Sequence, residues 1–115
     1  MINLTIPGRL PSLNETLRMH WGKRGRMKKD MAWHLAVSGQ PRPAYGVKCR
    51  AVITVYQKTR RFDKDNLYGA CKPVIDALKE AGYIHNDSMP WLDLDVQQAL
   101  DHKNPRIEIE IEDVT

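Results

Sequence analysis

Arg60-Arg61-Phe62-Asp63-Lys64-Asp65-Asn66-Leu67 joins two segments of different periodicity, and its reading decides the fold. Upstream, Val47, Cys49, Ala51, Ile53 and Val55 alternate with Lys48, Arg50, Thr54 and Tyr56, the pattern of a strand with one apolar face. Downstream, Leu67, Cys71, Val74 and Leu78 recur at helical spacing, with Asp65 as a candidate N-cap and Gly82 as a stop. Pro73 inside a continuous helix costs about 3 kcal/mol. Either the helix kinks near Gly69, or a short turn precedes a helix that has Pro73 in its first turn. If the chain is still extended at the acids, Asp63 and Asp65 lie on one face. Two like charges side by side repel unless a cation sits between them. Hard oxygen ligands with open positions suit Mg²⁺ or Mn²⁺, which hold a phosphate well.

Working outward, Ile2-Asn-Leu-Thr-Ile6 alternates and is closed by Pro7-Gly8, a short first strand. Residues 8–14 read as loop. Lys23-Arg24-Gly25-Arg26-Met27-Lys28-Lys29 places five cations in seven residues, and Gly22 and Gly25 favour a mobile basic loop over a continuous helix. Met27, Met31, Leu35 and Ser38 follow a helical step, with Trp33 and Val37 widening the apolar face. Gly39 and Gln40-Pro-Arg-Pro43 end that helix. Residues 83–90 read as a loop carrying His85, Asn86 and Asp87. Leu92, Leu94 and Val96, then Ile107, Ile109 and Ile111, alternate with polar residues on either side of Asn104-Pro105, which predicts an antiparallel hairpin. The expected fold is α+β, one domain over 1–115, a mixed sheet of about four strands packed by two helices.

Composition narrows the function. With 115 residues, 42% apolar and 28% charged, the chain suits one ordered globular domain. No apolar run reaches a membrane span, and the first residues lack a secretory signal. Cys49 and Cys71 form neither a CxxC pair nor a zinc cluster, so a cytoplasmic protein with reduced thiols is expected. The net charge of +4 hides an asymmetry: residues 1–61 hold thirteen Lys or Arg against two acids, whereas residues 62–115 hold five against twelve. A basic half points to a polyanionic partner. Asp-Lys-Asp-Asn does not open an EF-hand, because that loop's fifth, sixth and twelfth positions are here Leu67, Tyr68 and Val74. Phosphate-loop, dinucleotide, zinc-protease and nucleophile-elbow motifs do not occur, and no small-molecule substrate is implied. The plainest alternative makes Asp63 and Asp65 an N-cap and a surface acid.

The run Asp63-Lys-Asp65-Asn66-Leu67, then Lys72-Pro-Val-Ile-Asp76-Ala-Leu, then Ala81-Gly82 and Asn86-Asp87, resembles the RusA family of Holliday junction resolvases. The first strand, Pro7-Gly8 and Pro11-Ser-Leu-Asn14 extend the likeness over most of the chain. The resemblance implies a small α+β homodimer that cuts four-way DNA junctions symmetrically with Mg²⁺, encoded by a bacterium or phage. It implies that Asp63, Asp65 and Asp87 are the metal-binding acids and that Lys72 is the catalytic lysine, reached by three inserted residues. Two departures are visible: Asn86 stands where a second acid is usual, and Pro73 follows the lysine directly. Arg60, Arg61, Lys23, Arg24, Arg26, Lys28 and Lys29 are the expected contacts to flanking phosphates. Asp76 is expected to be structural or to support Lys72, and His85 to be a bystander. The tryptophans and Phe62 are expected in the core or between subunits, Phe62 alternatively as a wedge in a junction. The alternative within the same fold is a junction-binding module with weak or lost turnover.

Overall fold

Every strand expected from alternation is present in a computed structural model, which describes residues 1–43, 46–86 and 91–114. Strand β1 (Ile2–Pro7) is followed by helices α1 (Leu13–Arg18) and α2 (Trp21–Ala36), then β2 (Cys49–Gln57). Helices α3 (Lys64–Ala70) and α4 (Lys72–Glu80) lead to β3 (Leu92–Leu100) and β4 (Arg106–Asp113). The sheet order is β1-β4-β2-β3, with β2 and β3 parallel and the other pairs antiparallel. This is the mixed four-stranded α+β fold expected, with each of the two helical regions divided in two.

Alternation decides which face of each strand is dry. Cys49, Ala51, Ile53 and Val55 on β2, Leu4 and Ile6 on β1, and Ile107, Ile109 and Ile111 on β4 are all buried. They meet Met31 and Leu35 of α2 and Val74, Ala77 and Leu78 of α4 in one core. The opposite face carries Thr5, Arg50, Glu108, Glu110 and Glu112, as an antiparallel sheet covered on one side allows. Among the described residues no helix is long and apolar enough to cross a membrane.

The predicted hairpin is corrected. The segment between β3 and β4 does turn, with the Asp101 Oδ1 accepting the Lys103 and Asn104 N–H groups at 3.1 Å each. Yet β2 lies between the two strands, Ile53 facing Val96 on one side and Ile109 on the other. Period two assigns a face, not a neighbour; of β3 and β4 it is β4, with Ile107, Ile109 and Ile111 buried, that joins β2 in the middle of the sheet.

The basic run is corrected as well. Residues 21–36 form one helix through Gly22 and Gly25, started by the His20 ring accepting the Gly22 N–H at 3.1 Å. Two helical glycines cost roughly 1 kcal/mol each, but burial of Met31, Ala32 and Leu35 along one stripe exceeds that. Trp33 and Val37 stay outside that stripe and are exposed.

Candidate functional site

The acid pair does not close a strand. β2 ends at Gln57, residues 58–62 cross open ground, and the acids begin a helix instead. Asp63, not Asp65, is the N-cap: its Oδ1 accepts the Asn66 N–H at 2.9 Å, and its carbonyl accepts the Leu67 N–H at 2.9 Å. Asp65 follows in the first turn, where the helix dipole favours a negative charge. Both residues are exposed, and among the described residues the Asp65 carboxylate has no hydrogen bond or ion pair. The cap bond uses one Asp63 oxygen and leaves the other to solvent.

A clamp from the edge strand fixes the residue before the acids. The Gln98 carboxamide accepts the Phe62 N–H at 3.0 Å and donates to the Phe62 carbonyl at 2.7 Å, as a strand neighbour would. Phe62 meanwhile is partly buried and packs against the core, the place first expected of it. Gln98 was not among the expected site residues; its place opposite Val55 in the parallel register, two residues short of the strand end, was not visible from local pattern.

The helix downstream is broken, not kinked. Cys71 ends α3 and starts α4, donating its N–H at 3.2 Å to both Leu67 and Tyr68 carbonyls and accepting from Ile75 at 3.1 Å. Pro73 thereby falls in a first turn, where a backbone N–H has no partner to lose. Gly82 adopts φ +85° just beyond α4, the left-handed stop expected of it. Burial raises the Cys71 thiol to about 12, so it is an inert packing group.

Lys72 opens α4 with its ammonium 3.3 Å from Asp76, and Lys28 of α2 reaches the other Asp76 oxygen at 3.2 Å. Asp76 therefore holds two cations from two helices at one place. The Tyr83 hydroxyl lies 3.1 Å from the Ser38 hydroxyl and donates at 3.4 Å to the Leu35 carbonyl. Lys28 meets Asp76 in the middle of α4, and Leu35, seven residues on, meets Tyr83, seven residues beyond Asp76. The two helices thus run the same way, and the start of α2 extends past the start of α4 towards α3.

Helix α1 sits on α3 through a close approach. A Cβ on Gly69 would come 2.7 Å from the Leu13 Cδ2, so any larger residue there requires the Leu13 side chain to shift. The Ser12 hydroxyl accepts the Glu15 N–H at 3.1 Å while the Glu15 carboxylate accepts the Ser12 N–H at 3.2 Å. Ser12-Leu-Asn-Glu15 is thus a capping box, the sequence signal that locates α1. Paired hydrogen bonds from Arg9, both at 2.8 Å, and then the Ser12 N–H hold the Glu15 carboxyl down at about 2.

The seven expected phosphate contacts fall into three groups. Arg60 and Arg61 are exposed just before the acids. Helical spacing and exposure put Lys23, Arg26 and Lys29 on the outer face of α2, and the half-buried Arg24 and Lys28 on the stripe facing α4. His85 sets its ring 4.5 Å from that of Trp91, edge to face. Asp87 lies outside the described residues, and among those described no group of three or more His, Cys, Asp or Glu is placed to hold a metal ion. The family model described as endodeoxyribonuclease RusA matches residues 16–112. No curated protein sequence matches the chain.

Proposed function

The chain belongs to the RusA endodeoxyribonuclease family, and from that premise we propose that it resolves Holliday junctions by paired, symmetric, Mg²⁺-dependent phosphodiester hydrolysis. The observation that carries the proposal is the pair of exposed carboxylates, Asp63 and Asp65, on the first turn of α3. Their donor chemistry fits a hard divalent ion: both offer oxygen, and Asp63 retains one oxygen beyond its cap bond. Asp87 is proposed as the third ligand. When bound, Mg²⁺, or Mn²⁺ in its place, supplies a hydroxide-like water and neutralises charge on the phosphate.

Lys72 is proposed to meet charge on the scissile phosphate or to protonate the leaving oxygen. Asp76, 3.3 Å from its ammonium, limits the sweep of that side chain. Arg60 and Arg61, with Lys23, Arg24, Arg26, Lys28 and Lys29, would hold flanking phosphates without reading sequence. A four-way junction has approximate two-fold symmetry and needs two incisions, which suits two copies of the site in a homodimer.

The test is cleavage of an end-labelled four-way junction with and without Mg²⁺, by the wild type, Asp65→Asn and Lys72→Ala. The wild type should make symmetric paired nicks only with metal, and each variant should cut about 10²-fold more slowly or worse. Cutting by Asp65→Asn at the wild-type rate would remove the proposed site. Tight junction binding with no nicking under any metal would favour the junction-binding module that has lost turnover.

A further inference from the structure

Trp21 is 75% exposed at the first position of α2, so it lies outside the core, one of the two places expected for the tryptophans. Its place on the helix is informative. Steps of three and seven residues put Arg24 and Lys28 on the same stripe, the one that carries Leu35 into the core and Lys28 to Asp76. The indole therefore points to the side on which α2 faces α4, but two turns, about 10 Å, before the Lys28 contact. Since α2 and α4 run the same way, that overhang extends past Lys72 towards α3, which α1 also contacts at Gly69.

The neighbourhood is basic. The His20 ring lies 5.2 Å from the Trp21 ring at 34°, steadied by its bond from the Gly22 N–H. Beside it is a surface groove of about 400 Å³ lined by Glu15, Arg18, Met19, His20 and Lys23. The one acid there, Glu15, is already paired with Arg9 at 2.8 Å. A large flat apolar ring left exposed near this basic groove suits a flat uncharged ring carried on a polyanion. Nucleobases stack on such side chains when they leave the helix, and the phosphates on either side meet the cations.

We infer that Trp21 is a stacking platform for an unpaired nucleobase at the branch point of the DNA. The assignment rests on the junction reading above and adds the residue that tells branched from linear DNA. Arg24, one turn along the same stripe, holds the phosphate beside the extruded base.

The test is binding of the full chain to a fluorescent four-way junction and to a linear duplex of the same arm sequence, without divalent metal. Trp21→Ala should weaken junction binding roughly 5- to 150-fold and leave duplex binding and its salt slope unchanged. Trp21→Phe should retain most of the affinity. A 2-aminopurine at the branch point should change its fluorescence with the wild type and not with Trp21→Ala. Equal loss on junction and duplex overturns the assignment, as does a dimer that becomes monomer in the variant, which makes Trp21 a subunit contact. A wild type that prefers the junction, matched by Trp21→Ala, overturns this assignment alone. A wild type that binds both DNAs alike overturns the junction reading and this assignment with it.

Discussion

Replacing Gln98 by alanine should loosen the acid pair without touching it. The carboxamide makes two hydrogen bonds to the backbone of Phe62, at 3.0 and 2.7 Å, both partly buried. A net bond contributes about 0.5–1.5 kcal/mol, so the pair is worth roughly 1–3 kcal/mol. Water can reach residues 58–61, which are exposed, and it recovers part of that loss. The expected destabilisation is therefore about 1–2 kcal/mol, which raises the population of the unlatched segment roughly 5- to 30-fold. Two measurements separate local from global loss. Denaturant unfolding gives the overall change, and amide hydrogen exchange at Phe62 should accelerate by that same factor while Ile53 and Ile109 slow or speed only with global stability. Gln98→Asn, one methylene short, should behave like the alanine variant. Unchanged protection at Phe62 in Gln98→Ala would refute the idea that this side chain anchors the approach to the acids.

Asp76→Asn should leave Lys28 and Lys72 without their shared carboxylate and destabilise the fold by about 1 kcal/mol, since both pairs are partly exposed; thermal unfolding should show the difference shrinking in 1 M salt, by screening. Glu15 is depressed from its ordinary 4.5 to about 2 by Arg9 and then Ser12, so its contribution is present above pH 4.5 and fades as pH falls towards 2. Glu15→Gln should flatten stability against pH across that window, and an unchanged acid limb would contradict the pairing. Burial raises both the Cys49 and Cys71 thiols, so a thiol reagent at pH 8 should label neither until the chain unfolds. Arg60→Ala and Arg61→Ala should each lower the salt slope of DNA binding by about one and weaken all DNA sequences alike.

The strands were legible because the pattern that predicts them is the pattern that buries them. Ile107, Ile109 and Ile111 read as one face in sequence and are one dry face in the sheet. Neighbour order was not legible, since alternation on β3 and β4 is equally satisfied with β2 between them. Helix α2 was missed at its start because two glycines and five cations outweighed Met27, Met31 and Leu35 in local reasoning, whereas tertiary burial decided the matter. The acid pair was found by spacing, but its geometry was misjudged: Asp63 turns the chain into a helix, so the two carboxylates sit on one turn, not on one strand face. Lys72 and Asp76 were linked correctly by helical spacing, while Lys28, forty-eight residues from Asp76, could be joined to them only by the fold. That Trp21 lies outside the core was not legible, because a tryptophan's size argues for burial unless its surroundings are known.

The placement of β4 bears on how the protein is made. The last strand along the sequence fills the middle of the sheet, and it supplies the neighbour of β1, the first. During synthesis β1 therefore waits for its neighbour among the described strands until residue 113 is free. Such long-range closure slows folding and leaves bare strand edges during the delay. Small losses of stability near the C-terminal strand should thus reduce the yield of native protein more than their free energy alone would indicate.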